Sequence, residues 1–170
     1  MALITESQHE RLRELLAELY EYYNESSSVA HEVVLAHLRS NLLNVDSPLR
    51  LVVATCPAGE VVGFAAVALL FSLVDLTPQN QRQCLLKELF VKAKERGNGV
   101  GRALMTWVAQ YAVANGGGRV DWNVQATNHQ GIAFYKGLGA EQVAERLSFR
   151  LSHERIVCLS REGQNGAFGI

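Results

Sequence analysis

Between positions 96 and 102 the chain reads Arg-Gly-Asn-Gly-Val-Gly-Arg, a set of residues suited to holding an anion. Arg96 brings a fixed positive charge in a planar fork that matches phosphate oxygens. Gly97, Gly99 and Gly101 carry no Cβ, so the backbone can turn sharply and approach a ligand closely. A helix starting here leaves its first N–H groups without intrahelical partners, and its dipole adds partial positive charge. Together these make a phosphate site built largely from backbone. Two better-known versions are excluded. A Walker loop needs Gly-Lys followed by Ser or Thr, whereas Gly101 is followed by Arg102-Ala103. A dinucleotide fingerprint needs Gly-x-Gly-x-x-Gly in the first strand–helix turn, whereas this Gly-x-Gly-x-Gly lies in the second half of the chain. Metal chemistry is not expected, because His9, His31, His37, His129 and His153 show no ligand spacing.

The elements that position the loop follow from periodicity. Leu85, Leu86, Leu89, Phe90 and Val91 form an apolar run of strand length, interrupted by Lys87 and Glu88. After the loop, Val100, Leu104, Trp107, Val108 and Tyr111 recur at helical spacing, which predicts a helix over 99–114 ended by Gly116-Gly117-Gly118. Upstream, a short edge strand is expected at 1–5, and helices over 6–23 and 29–42. The first buries Leu12, Leu15, Leu16, Leu19 and Tyr23; the second buries Val33, Val34, Leu38 and Leu42. Residues 49–56 and 61–74 read as strands joined by the hairpin signal Pro57-Ala58-Gly59-Glu60. Downstream, a strand is expected at 119–125 and a helix at 129–137. Closing strands follow at 143–152 and 156–159, then a polar, frayed tail at 161–170.

At 170 residues, 48% of them apolar, the chain suits one domain with a real core. A net charge of −1 gives no electrostatic case for nucleic acid. No apolar run reaches membrane-spanning length, and the N-terminus lacks the order of a signal peptide, so a cytoplasmic protein is expected. Cys56, Cys84 and Cys158, odd in number and in apolar contexts, read as buried thiols.

The spacing Arg96-x-x-Gly99-x-Gly101 after an apolar strand resembles the acetyl-CoA pyrophosphate loop of the GNAT (GCN5-related) N-acetyltransferase superfamily. A second block, residues 119–140, resembles that superfamily's other core motif: a strand, Asn128 near a helix start, and a helix ending Phe134-Tyr135-x-x-Leu138-Gly139. The implied fold is α/β, with a central mixed, mostly antiparallel sheet flanked by helices. Its fourth and fifth strands run parallel and splay apart into a cofactor cleft. The resemblance is good over 49–140 and poor over the first forty-odd residues, where relatives open with a longer strand.

The resemblance implies acetyl transfer from acetyl-CoA to a primary amine. The pantetheine arm would pair with the backbone of Leu89, Phe90 and Val91, with an N–H near Val91 as oxyanion donor. The pyrophosphate would sit on Gly97, Asn98, Gly99, Val100, Gly101 and Arg102, with Arg96 at the loop entrance. Tyr135, seven residues after Asn128, becomes the general acid, since a phenol of pKa ~10 can protonate a thiolate. Alone, it would read as a core tyrosine. Asn128 reads both as a helix N-cap and as an amide reaching the cofactor. Local similarity is to the diamine and polyamine acetyltransferase branch, which carries a Glu-Asp pair before Leu-(Phe/Tyr)-Val. Here Lys87-Glu88 precedes Leu89-Phe90-Val91, so Glu88 is the candidate base and Lys87 reverses the first charge. Asp121 and Asn123 share one strand face, which is either solvated or turned to a cationic substrate. Tyr20, Tyr22, Tyr23 and Asn24 are open to the same two readings, packing or acceptor pocket. A small-molecule amine acceptor, with diamines or polyamines first on this local similarity, and a homodimer are expected. The alternatives are a non-catalytic acyl-CoA-binding regulatory module and a protein or peptide N-acetyltransferase.

Overall fold

In the computed structural model, which describes residues 2–4, 8–24 and 28–165, the chain divides into two units, Met1–Asn128 and His129–Ile170. The first carries a sheet in the order β1-β2-β3-β4-β5. Its strands are β1 (Ala2–Leu3), β2 (Leu49–Thr55), β3 (Val61–Phe71), β4 (Arg82–Val91) and β5 (Gly117–Asp121). Neighbours are antiparallel from β1 to β4, and β4–β5 is parallel. Three helices belong to this unit: α1 (His9–Tyr23), α2 (His31–His37) and α3 (Val100–Ala114).

Both faces of the sheet are covered, which is why residues 51–54 of β2 and all of β3 read as unbroken apolar runs. Along β3, Ala65 and Val67 pack with Leu104, Val108 and Ala112 of α3. Phe64 and Ala66 point the other way, to Leu12 and Leu15 of α1 and to Leu38. Side chains alternate across a strand, so one apolar run feeds two cores. The crossover that a parallel pair requires is α3, whose buried Leu104, Val108 and Ala112 recur at helical spacing.

The mixed sheet with its parallel β4–β5 pair agrees with the expected fold, and several boundaries differ. Met1 and Thr5 to Ser7, at the predicted edge strand and first helix start, lie outside the described residues, as do Glu25 to Ser27. The second helix is α-helical only over α2 and continues as a π turn at Leu38–Leu42; Val33 and, on α1, Tyr23 are exposed rather than buried. β3 ends at Phe71 rather than 74. β5 starts two residues early, at Gly117, and ends at Asp121 rather than 125. Gly116 alone, at φ 71°, takes the left-handed conformation after α3.

The second unit holds α4 (His129–Gly137) and α5 (His153–Asn165). Here the expected closing strands at 143–152 and 156–159 are corrected. Residues 143–146 form a turn closed by Arg146 N–H donating to Val143 O, and no ladder forms at 146–152. Alternating apolar residues make a strand only with a partner for the backbone, and this unit has no strand among its described residues. From 153 the chain is helical. Ser152 Oγ accepts the Arg155 N–H at 3.4 Å, and Glu154 sits in the first turn where the dipole favours an acid. The predicted frayed tail is helical from 161 to Asn165, and residues 166–170 lie outside the described residues. The thiols also need correction: Cys84 is buried and Cys56 half-buried, but Cys158 is exposed on α5.

Candidate active site

The site begins where two ladders change. In the β3–β4 pairing, Val67 faces Leu86 and Ala66 faces Glu88, so Lys87 is an extra residue, a β-bulge. One extra residue reverses which face the next side chains take. Leu86 lies in the core under α3, whereas Phe90 lies in the core under α1. Glu88, opposite Ala66, is turned to the α1 side with Phe90. Without the bulge its carboxylate would point at α3. Lys87 itself is exposed.

On the α1 side Glu88 is held by two donors. The Tyr23 hydroxyl donates to Oε2 at 3.3 Å, and the Leu89 N–H donates to Oε1 at 3.2 Å. Burial raises the Glu88 pKa above the usual glutamate value, while the Leu89 N–H, the Tyr23 hydroxyl and Lys87 pull it down. A carboxylate whose affinity for protons is raised by its surroundings suits a general base. Tyr23 is raised too, by burial and then by the charge of Glu88.

These groups border a cavity of about 490 Å³ between α1, the α2 segment and the sheet. Leu16, Leu19, Val33, Leu51 and Phe64 supply apolar wall, and Tyr20, Tyr23, Asn24 and Glu88 line it as well. The sequence reading assigned Leu16, Leu19 and Val33 to the core. The available signal was aromatic: Tyr20 and Tyr23 continue the same helical face to the point where it meets Glu88. Tyr22, edge-on to Tyr23 at 5.2 Å, is not among the lining residues.

The second change is the end of the β4–β5 ladder. Its last pair is Leu85–Asp121, and beyond it Leu86 and residues 88–91 of β4 pair only with β3. The β5-facing edge of Leu89, Phe90 and Val91 is thus left open to an extended ligand, as a splayed pair provides. The chain then runs into a 3-10 turn (Ala93–Glu95) and the glycine loop. Arg96 Nε donates to Val91 O at 3.1 Å, bracing the loop against the strand end. Gly97 and Gly99 both have φ 82°, a region L side chains rarely adopt, and a Cβ at either would meet nothing within 4 Å. Gly99 is the N-cap of α3 and offers no side-chain oxygen to its N–H groups. An open cradle at a helix start fits the pyrophosphate of a CoA cofactor. Asn98, Val100, Gly101 and Arg102 form the rest of this loop and first turn.

Asp121 is committed elsewhere, accepting from Arg119 Nε at 2.7 Å, while Arg119 also donates to Gln83 Oε1 at 2.6 Å. That pairing favours a strand-bracing role over substrate binding. Asn123 is exposed and lies beyond the end of β5. Asn128 is half-buried and precedes α4 in sequence. Within the second unit Tyr135 is half-buried on α4, its ring 5.2 Å from that of Phe134. Among the described residues there is no cluster of three or more His, Cys, Asp or Glu side chains that could hold a metal, and no helix long and apolar enough to cross a membrane.

A family model described as the acetyltransferase (GNAT) family matches residues 10–140. L-ornithine N5-acetyltransferase NATA1 of Arabidopsis thaliana is 33% identical over 76 residues, which are 45% of this chain; the match spans a third of that relative's length. An integron cassette protein from the mobile metagenome of V. cholerae superposes with a TM-score of 0.84 at 25% identity, over 94% of this chain and 96% of its own. AAC(6')-Iy, solved with the bisubstrate analog CoA-S-monomethyl-acetylneamine, gives a TM-score of 0.69 at 19% identity, over 89% of this chain and 96% of its own. At that identity the likeness is one of fold.

Proposed function

Because this chain belongs to the acetyltransferase (GNAT) family, we propose that it transfers an acetyl group from acetyl-CoA to the primary amine of a small molecule. The observation that carries the proposal is the opening of β4 beyond the Leu85–Asp121 pair, with the Gly97–Gly99 cradle at the end of that open edge. Bound acetyl-CoA supplies an acyl thioester activated toward amines. Glu88 takes the proton from the acceptor ammonium, so that the nitrogen lone pair is free to attack. A backbone N–H near Val91 donates to the carbonyl oxygen as charge builds there. As the carbon–nitrogen bond forms and the carbon–sulfur bond breaks, Tyr135 Oη gives its proton to the departing sulfur, and the excess proton left on the attacking nitrogen is released as the tyrosinate takes one up, which leaves a neutral amide. Arg96, the loop from Gly97 to Arg102, and Asn128 are assigned to cofactor binding.

The family match runs to residue 140, past the boundary at Asn128, which supports reading the chain as one functional domain. The free thiols of Cys56, Cys84 and Cys158 support a cytoplasmic setting. A homodimer is supported by apolar side chains left in solvent, Leu73 and Val74 after β3 and Leu147 and Phe149 before α5. Sedimentation at high concentration tests that part, and a lone monomer would overturn it.

The enzymatic proposal is tested by thiol release from acetyl-CoA with amines and short peptides as acceptors. Turnover with small amines is expected. Turnover on peptides alone would move the assignment to peptide N-acetylation. Acetyl-CoA binding by calorimetry, without turnover on any acceptor, would favour the regulatory module.

A further inference from the structure

Resting on the acetyltransferase reading, we infer that the acceptor is a primary amine carried on one apolar body, aryl-alkyl or branched alkyl, with no second positive charge. This departs from the diamine expectation raised by the sequence around Glu88. The cavity beside Glu88 is walled by Leu16, Leu19, Val33, Leu51 and Phe64, and its volume suits a small organic molecule. Among its described lining residues Glu88 is the single carboxylate, and the one formally charged partner beside it is Lys87. One ammonium therefore finds its acid at the Glu88 end. A second ammonium, four or more carbons away, would meet a wall of mostly leucine and valine with no second carboxylate among the described lining residues. An unpaired charge against apolar wall is costly, whereas methylene or ring surface there is favourable. A polar acceptor would lose hydration to the same wall, where Tyr20, Tyr23, Asn24 and His37 are the polar side chains besides Lys87 and Glu88.

The test is steady-state thiol release by the full chain with acetyl-CoA and matched acceptors: butylamine, hexylamine, 2-phenylethylamine, and the α,ω-diamines of equal length. Each added methylene is expected to raise kcat/KM by about fourfold until the cavity is full. Each diamine should fall at least about tenfold below its monoamine, the penalty expected for an unpaired buried charge. Diamines that equal or exceed their monoamines would overturn the inference while leaving acetyl transfer intact. No turnover with any amine, but calorimetric binding of 2-phenylethylamine to CoA-loaded protein, would overturn the acetyltransferase reading and leave the cavity assignment standing. Neither turnover nor binding would overturn both. Val33→Glu, at an exposed lining position, places a second carboxylate on the wall without disturbing buried packing. It should raise the diamine-to-monoamine ratio at least about tenfold; an unmoved ratio would mean that acceptors do not occupy this cavity.

Discussion

The Tyr23 hydroxyl donates to Glu88 Oε2 at 3.3 Å, tying the last residue of α1 to the residue that follows the bulge in β4. The bond favours the ionised carboxylate and so opposes the effect of burial. In Tyr23→Phe the Glu88 pKa is therefore expected to rise further. The acid limb of a kcat/KM profile against pH should move to higher pH, with its plateau nearly kept. A limb that stays in place, or moves to lower pH, would contradict the coupling.

Glu88→Gln removes the proposed base. A loss of about 10²–10⁴-fold in kcat/KM is expected, together with loss of the acid limb. Stability should respond in the opposite sense. Because the folded pKa is raised, the folded state holds its proton more tightly than the unfolded chain, and ionisation destabilises it. Wild-type stability should fall, through this group, as pH climbs from the ordinary glutamate pKa through the raised one. Glu88→Gln escapes that loss, so its stability relative to wild type should be higher at pH 7 than at pH 4 in urea unfolding. The reverse order would argue against a desolvated Glu88.

Much of the cofactor side was legible because its signals are local. Three alternate glycines beside Arg96 after an apolar strand announce a strand–loop–helix, and α3 begins one residue after the expected position. The orientation of Glu88 was not legible. A bulge at Lys87 changes no composition, and the pattern Cys84, Leu86, Glu88, Phe90 reads as one continuous face until the ladder shows otherwise. The C-terminal stretch misled for a related reason. Leu147, Phe149 and Leu151 alternate as a strand would, but alternation names only the faces, and a ladder needs a neighbour. Beyond it, the cap at Ser152 outweighed the β-branched pair Ile156-Val157.

Gly99→Asp should abolish calorimetric binding of CoA. The new Cβ meets nothing within 4 Å among the described residues, yet the substitution places a carboxylate in the cradle and forces a non-glycine residue to φ 82°. The backbone cost is about 1–2 kcal/mol, too little to unfold most domains. Unfolding monitored by circular dichroism should thus remain cooperative. CoA affinity kept within a few-fold of wild type would place the pyrophosphate elsewhere.

Tyr135→Phe keeps the ring beside Phe134 and deletes only the hydroxyl. As the proton donor to sulfur, it should lower kcat by about 10²-fold or more while the Kd for CoA stays nearly constant. An unchanged kcat would return Tyr135 to a packing role.

Direct acetyl transfer requires both substrates to be bound together. Initial velocities measured over a grid of acetyl-CoA and accepted-amine concentrations test it most directly. Many thiols released per chain and double-reciprocal lines that intersect are expected. At most one thiol per chain, or parallel lines that indicate an acetylated enzyme, would contradict it.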